Sequence, residues 1–233
     1  MNLQELTQKI LEIKNRGFIK THRLDDTGIG KTLEDLLGIK ENNIRLPDVG
    51  DIELKAKRID SQSMLTIATK APNPRGVNRV LFEKYKYRDK YGYYCLHSTV
   101  YTSKCNPQGF RIRIVEDKME LENKDNIEAF WPMTIFYDVL RVKSNKILLV
   151  FAESEGERKT FEESFRFAEA YLLSDLNIEK FKTAILEDKL KVDIRIGVYR
   201  SGYSTGKYHD HGTGFRINKK DFLHLYDKYE QII

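Results

Sequence analysis

The stretch Pro47-Asp48-Val49-Gly50-Asp51-Ile52-Glu53-Leu54-Lys55 constrains the fold more than any other. A proline–aspartate turn runs into strict alternation, with Asp51, Glu53, Lys55 and Lys57 set against Ile52, Leu54 and Ala56. Period two marks a strand, with the charged side chains on one face and the apolar set turned to a core. A carboxylate and an ammonium two residues apart on a strand, with a second carboxylate on the turn before it, make a donor set for a hard divalent cation. Mg²⁺ takes one or two carboxylates and completes its shell with water and phosphate oxygens. In that reading Asp48 and Glu53 supply the carboxylates, the Leu54 carbonyl adds an oxygen, and Lys55 stands beside the reacting water. The plain alternative is a solvated strand face.

The spacing Asp48…Glu53-x-Lys55 is also the pattern of the PD-(D/E)xK nucleases. At 233 residues the chain has room for one substantial core, or for one domain with two lobes. A net charge of +5 is mildly basic, which permits a nucleic-acid partner without requiring one. Two cysteines, Cys95 and Cys105, do not make a disulfide framework, so a reducing, cytoplasmic setting is expected. Met1–Glu5 is not a basic segment leading into an apolar one, so no signal peptide is expected. The longest apolar run, Ile147–Ala152, is too short for a bilayer.

Leu3, Leu6, Ile10 and Ile13 give a first helix over residues 2–15. Asp26 or Thr27 caps a second, with Leu33, Leu36 and Leu37 inward and Gly38 as its stop. Gly28-Ile29-Gly30-Lys31-Thr32 is not a P-loop, because position 25 is Asp25 and no buried strand precedes it. Glu34 lies at the border of this helix's apolar stripe. It is either an ordinary solvated carboxylate or a third acid facing the Asp48–Lys55 strand. Met64–Thr69 reads as the partner of that strand, followed by a Pro72/Pro74 loop that presents Lys70 and Arg75 to phosphate. A short helix at Asn78–Tyr85, strands at Tyr94–Tyr101 and Phe110–Val115, and a Lys118–Leu121 strand pairing with them come next. A helix at Thr134–Val142 and a buried strand at Lys146–Glu153 follow. The alternation of Phe165-Arg166-Phe167-Ala168 favours a strand. Leu176–Leu190 reads as a helix with Ile178, Phe181, Ile185 and Leu186 inward, Lys191–Arg200 and residues 211–217 as strands, and Lys219–Tyr226 as a closing helix.

The second dense stretch is Asp193–Arg200 with His209–Ile217. Alternation puts Ile194, Ile196 and Val198 on one face and Asp193, Arg195, Gly197 and Tyr199 on the other. Arg195, Arg216, Tyr199, His209 and His211 are the inventory of a ribbon that reads base edges in a major groove, while Arg200 and Lys207 suit phosphates. At ordinary pKa values near ~6.5, His209 and His211 would become double donors as pH falls toward 6. A His209/His211 metal site, a solvated polar hairpin and a non-catalytic DNA-binding module are the alternatives.

Five blocks occur in one order along nearly the whole chain: TGIGKTLEDLLG (27–38), PDVGDIELK (47–55), TKAPNPRGVN (69–78), VDIRIGVY (192–199) and HDHGTGFRI (209–217). Together they resemble the MvaI/BcnI family of type II restriction endonucleases. The metal-site blocks also resemble the nicking enzyme MutH, and the C-terminal blocks do not. The BcnI branch has histidine at the place of Lys55, which puts this chain on the MvaI side. Residues 87–126 match least well.

The resemblance implies an α/β fold of the PD-(D/E)xK type. It would be a mixed sheet flanked by helices in a single nuclease domain, with two lobes around a DNA cleft. Residues 1 to about 160 would be mainly catalytic and about 161 to 233 mainly for recognition. It further implies Mg²⁺ bound by Asp48 and Glu53, Lys55 as the catalytic lysine and Glu34 as a supporting acid. Arg195, Tyr199, His209, His211 and Arg216 would be among the base readers. The expected partner is double-stranded DNA, cut by a monomer at a short, near-palindromic site with outer C·G pairs, and a separate methyltransferase would protect the host. A MutH-like nicking enzyme is the alternative within nucleases.

Overall fold

The computed structural model describes residues 1–39, 47–141 and 145–233. In chain order the first elements are α1 (Leu3–Asn15), β1 (Ile19–Lys20), α2 (Gly28–Leu37), β2 (Glu53–Arg58), β3 (Leu65–Thr69), α3 (Val77–Tyr85), β4 (Tyr87–Arg88), β5 (Tyr94–Val100), β6 (Arg111–Val115) and β7 (Lys118–Glu122). Then come β8 (Phe130–Pro132), α4 (Met133–Val139), β9 (Lys146–Glu155), β10 (Ser164–Leu176), α5 (Ile178–Leu186), β11 (Leu190–Val198), β12 (Tyr208–Asp210), β13 (Gly214–Ile217), α6 (Lys219–Phe222) and β14 (Tyr226–Gln231). Among the described residues no helix is long and apolar enough to cross a membrane.

The elements fall into two compact units. The first comprises Met1–Ser63, Arg141–Leu176 and Tyr226–Ile233, the second Met64–Leu140 and Asn177–Leu225. The boundary expected near residue 160 falls inside the first unit, between β9 and β10.

In the first unit the sheet runs β1-β10-β9-β2, with β14 also on β10. α1 starts with a capping box in which Asn2 accepts from the Glu5 N–H and Glu5 accepts from the Asn2 N–H, which satisfies two of the free donors of its first turn. Its buried stripe, Leu6, Ile10 and Ile13, joins Ile29, Leu33 and Leu37 of α2 over Leu148, Val150 and Ala152 of β9 and Phe165 and Phe167 of β10. The expected strand around Phe165 is present and is 13 residues long. The partner of β2 is not the Met64–Thr69 segment. β2 lies parallel to β9, Glu53 opposite Ile147 and Lys55 opposite Leu149, while β3 pairs with β13 in the second unit. The unbroken apolar run of β9 explains this: buried on both faces, it sits in the middle of the sheet and takes β10 and β2 as its two neighbours. Lys57, expected on the charged face, is buried, and its ammonium donates to the Ser63 hydroxyl at 2.9 Å. The expected closing helix Lys219–Tyr226 also ends early. A 3-10 turn over Leu223–Leu225 follows α6, and Tyr226 opens β14, an edge strand whose charged residues face solvent.

In the second unit one antiparallel sheet runs β3-β13-β11-β5-β4, with β12 also on β11, and a separate one runs β6-β7-β8. Trp131, Phe136, Phe181 and Phe215 fill its core, with Phe136 and Trp131 each edge-on to Phe215, at 4.6 and 5.7 Å. α5 is shorter than expected because Asn177 caps its start, accepting from the Glu179 and Lys180 N–H groups, and Leu190 already belongs to β11. Leu186, expected inward, is the last helical residue and is exposed; Phe181, Ala184 and Ile185 do the packing. Residues 211–217 are not one strand, because Gly212 at φ 75° breaks the chain between β12 and β13. The helix expected to end at Val142 is α4, and Val142 itself lies outside the described residues.

Candidate functional site

Two places concentrate chemistry, one in each unit. In the first, the chain doubles back between Val49 and Ile52, which exchange N–H···O=C bonds of 3.0 and 2.8 Å. Gly50 allows this because its φ is 59°, a region that costs other residues about 1–2 kcal/mol. Val49 and Ile52 are anchored in the core. Asp48 is thereby returned beside β2, where its Oδ2 accepts the Leu54 N–H at 2.8 Å. Next along the strand, Lys55 Nζ stands 3.6 Å from Glu53 Oε1, both side chains at most one-fifth exposed. Asp48 is thus bonded to Leu54, and Glu53 paired with Lys55, at the start of one strand.

Glu34 reaches this neighbourhood from α2. It lines a cavity of about 400 Å³ together with Asp48, Ala56, Arg23 and Lys31. The Glu53 and Lys55 side chains are not part of that lining. Among the described residues no three His, Cys, Asp or Glu side chains form a ready cage for a metal ion. Two carboxylates with one oxygen bound in place still match what Mg²⁺ takes from a protein, since water and phosphate supply its other ligands.

In the second unit one face of the larger sheet carries the polar set. Register places His97 opposite Arg195 and Thr99 opposite Asp193, with His209 opposite Gly197 and Arg216 opposite Lys191. Side chains at paired positions share a face. Asp193 is buried and accepts from Arg216 Nη1 at 2.9 Å and from the Thr99 hydroxyl at 2.7 Å, while Arg216 Nη2 donates to the Met64 carbonyl at 3.2 Å. Arg195 lies across β13, its Nε 3.3 Å from the Gly212 carbonyl and its Nη2 3.4 Å from the Thr69 hydroxyl. A side chain on Gly214 would press on the Arg195 guanidinium at 3.1 Å, and one on Gly212 would strike Thr69. Gly214 thus leaves the space in which the Arg195 guanidinium lies. Tyr199, His209 and His211 form a train of rings with centroids 4.2 and 4.1 Å apart. His97, Asp193, Arg195, His211 and Arg216 line one cavity of about 420 Å³.

The MvaI/BcnI restriction endonuclease family profile matches residues 7–226. The chain belongs to the MvaI/BcnI restriction endonuclease family. As a type II restriction endonuclease it is an enzyme, a site-specific deoxyribonuclease. Its mixed α/β fold is similar to that of the solved restriction endonuclease MvaI–cognate DNA substrate complex, at 35% identity over all of both chains and a TM-score of 0.87. Restriction endonuclease MvaI in the absence of DNA is 36% identical over 100% of this chain and 99% of that one, with a TM-score of 0.57. No curated protein matches the chain.

For this MvaI/BcnI chain, the residues singled out by sequence do not all gather. Arg195, His211 and Arg216 share the second unit's cavity, with Tyr199 and His209 alongside. Arg200 is instead held by Asp89 at 2.6 Å, and Lys207 lies over the Tyr203 ring at 4.5 Å. Lys70 and Arg75 sit at the two ends of a loop whose Asn73 exchanges backbone bonds with Phe130, and Arg75 is exposed. Arg216 is bonded to Asp193, so the two line the second unit's cavity as a pair. His97 was missed altogether: nothing near it in sequence marks it, and only its cross-strand pairing with Arg195 gives it away. The histidine expectation changes too. Burial first, then the neighbouring His209, His97 and Arg195, lower the pKa of His211, and burial and Arg200 lower that of His97. Both are neutral at pH 7, each offering one donor and one acceptor.

Proposed function

We propose that the chain is a Mg²⁺-dependent restriction endonuclease that cuts double-stranded DNA at a short, near-palindromic site with outer C·G pairs. The first unit does the chemistry with a PD-(D/E)xK site, and the second reads the bases. The observation that carries this is the return of Asp48 onto the Leu54 N–H, beside the Glu53–Lys55 pair. Asp48, Glu53 and the Leu54 carbonyl would hold Mg²⁺, which when bound activates water and the phosphate as a Lewis acid. Lys55 lies where negative charge grows on the phosphate and offsets it. Glu34 orients its neighbours from the Asp48 cavity. The enzyme acts as a monomer, in a system whose methyltransferase protects the same site.

In the second unit Asp193 and Arg216 present an acceptor and donors side by side. That is the complement of a C·G pair in the major groove, where cytosine N4 donates and guanine O6 and N7 accept. Arg195 and the neutral His97 and His211 extend this reading along the face.

Plasmid digestion with Mg²⁺, with EDTA as control, tests the proposal. Discrete linear fragments with 5′-phosphate ends and one shared end sequence are expected without added proteins. EDTA-resistant cutting, random ends or nicking that needs a partner protein would each refute it. Base reading has its own expectation. Arg195→Ala and Arg216→Ala should each cost about 1–3 kcal/mol of discrimination between cognate and scrambled duplexes. Lys207→Ala should weaken both duplexes equally and lower the salt slope by about one. Because His97 and His211 are neutral, discrimination should stay flat from pH 8 down to about 6.5. Equal losses on both duplexes for Arg195→Ala and Arg216→Ala would place base reading elsewhere.

A further inference from the structure

The second unit carries a strongly cationic, tyrosine-rich edge that none of the proposed reading contacts uses. Residues 84–94 read Lys-Tyr-Lys-Tyr-Arg-Asp-Lys-Tyr-Gly-Tyr-Tyr, four cations and five tyrosines against a single acid. They end α3 and form the β4–β5 hairpin, where Tyr87 pairs with Cys95 and Arg88 with Tyr94. The hairpin tip is closed by backbone bonds from Asp89 to Tyr93 and from Gly92 to Asp89, each 2.9 Å. The Asp89 carboxylate adds bonds from the Tyr91 and Tyr93 N–H groups at 2.9 and 3.0 Å.

That one acid is spent inward. Its other oxygen takes Arg200 at 2.6 Å, and the Arg200 guanidinium lies over the Tyr91 and Tyr93 rings at 5.6 and 5.7 Å. What faces solvent is positive and aromatic. Tyr91 is 64% exposed, and Lys90 Nζ rests 4.8 Å from its ring centre. On the edge strand Arg88 lies over Tyr94 at 4.3 Å and donates to the Gly92 carbonyl at 2.6 Å. Cations parked on rings and bonded to backbone lose little freedom when they meet an anion.

The edge is continuous with the face that holds Arg195. Tyr87 lies opposite Cys95, two residues before His97 on the same face, and its hydroxyl donates to the His97 carbonyl at 3.2 Å. The charges of Asp89, in the hairpin, and of its partner Arg200 both act on His97. A duplex read at Arg195 continues as an unbroken row of phosphates, one negative charge per roughly 1.7 Å of axis.

We propose that the β4–β5 hairpin, through Lys90 and Tyr91, grips the sugar–phosphate backbone of the duplex just outside the base pairs read at Arg195. This rests on the reading role proposed for that face. The grip is blind to sequence: cations neutralise phosphates, and the tyrosine hydroxyl donates to a phosphate oxygen. It lengthens the footprint on one side of the recognised bases and raises affinity without changing which bases are chosen.

The test compares a short cognate duplex, ending close to the recognised pairs, with one carrying about one extra helical turn, roughly 10 base pairs, on each side. The wild-type enzyme should bind the long duplex several-fold more tightly, with a steeper salt dependence. Lys90→Ala combined with Tyr91→Ala alters two exposed tip residues. It should lose most of that extra affinity, lower the long-duplex salt slope by about 0.9 per phosphate contact removed, and bind the short duplex as before. Lys90→Glu, a single exposed charge reversal, should act the same way and keeps the test decisive if the double variant fails to fold. Equal loss on both duplexes, no loss on either, or a wild-type enzyme indifferent to flank length would each overturn the proposal. A hairpin reserved for a protein partner would give the second of these results. The reading proposal fails separately, through the ratio of cognate to scrambled binding on the short duplex.

Discussion

Asp48→Asn, Glu53→Gln and Lys55→Ala should each abolish cleavage while the protein stays folded. Losing one preorganised charge-stabilising group costs about 10²–10³-fold in rate, and each of the three sits at the same strand end. Asp48→Asn isolates charge from shape: asparagine still presents an oxygen to the Leu54 N–H now held at 2.8 Å, so the Val49–Ile52 turn survives. It also removes a negative charge near phosphate, so binding of uncleaved DNA should hold or improve. Glu53→Gln leaves Lys55 without the carboxylate now 3.6 Å away, and Lys55→Ala removes the cation itself. Glu34 shares a cavity with Asp48 and not with the Glu53–Lys55 pair, so Glu34→Gln should slow cleavage less than any of the three. Single-turnover rates with Mg²⁺, alongside circular dichroism of each variant, decide the matter. Near wild-type cutting by Asp48→Asn, Glu53→Gln or Lys55→Ala would remove that residue from the chemistry. A loss for Glu34→Gln as complete as for Glu53→Gln would make Glu34 a direct ligand.

The largest effect on stability should come from Glu163→Ala. Arg58, the last residue of β2, meets Glu163 through two bonds of 2.6 and 2.8 Å, and the carboxylate also accepts the Lys159 N–H at 3.2 Å. The side chains are 8% and 1% exposed, and the guanidinium lies over Phe165. Removing the carboxylate strands a buried cation, at a cost of about 3–5 kcal/mol. Arg58→Met together with Glu163→Leu should be milder than the sum of the single changes, because no charge is left behind. Burial pushes the Glu163 carboxyl up, but the Arg58 bonds and the Lys159 N–H outweigh it and leave the group below its ordinary 4.5. A depressed acid stabilises the fold above its unfolded pKa and loses that contribution as pH falls through the folded value. The gap between wild type and Glu163→Ala should therefore be constant from pH 7 to about 5 and shrink in more acid solution. Urea unfolding at several pH values measures it. A gap below about 1 kcal/mol at pH 7, far under the range for a broken buried pair, would mean that Arg58 finds water.

What was legible in the sequence was local. The alternation after Asp48 marked β2, and the glycine turn folds within four residues, so Asp48, Glu53 and Lys55 were readable without knowing any long-range partner. The apolar run of β9 and the stripes of α1 and α2 were plain for the same reason. Non-local pairing was not legible. Met64–Thr69 follows β2 in sequence, yet the buried middle strand claims β2, and β3 goes to β13. Tyr226–Gln231 mixes charges in a way that suits a helix face as well as an edge strand, and only Leu176 opposite Tyr226 decides. His97 is an ordinary residue until a strand about 100 positions later lays Arg195 beside it. On the polar face of the second unit's larger sheet the residue types were visible in the sequence, but the Asp193–Arg216 pairing depends on register, which alternation alone does not fix.

β14 has a consequence for the order of synthesis. It belongs to the first unit, yet every residue of the second unit precedes it in the chain. Its first residue, Tyr226, is buried, and after burial the charge of Glu53 is the next cause holding its phenol well above the ordinary range, so a strand that follows the whole second unit in sequence reaches the surroundings of Glu53. A chain still on the ribosome can thus fold the second unit while the first lacks an edge of its sheet. The sheet of the first unit is completed only after the whole of the second unit has emerged, so a chain cut short before Tyr226 lacks the strand that pairs with β10.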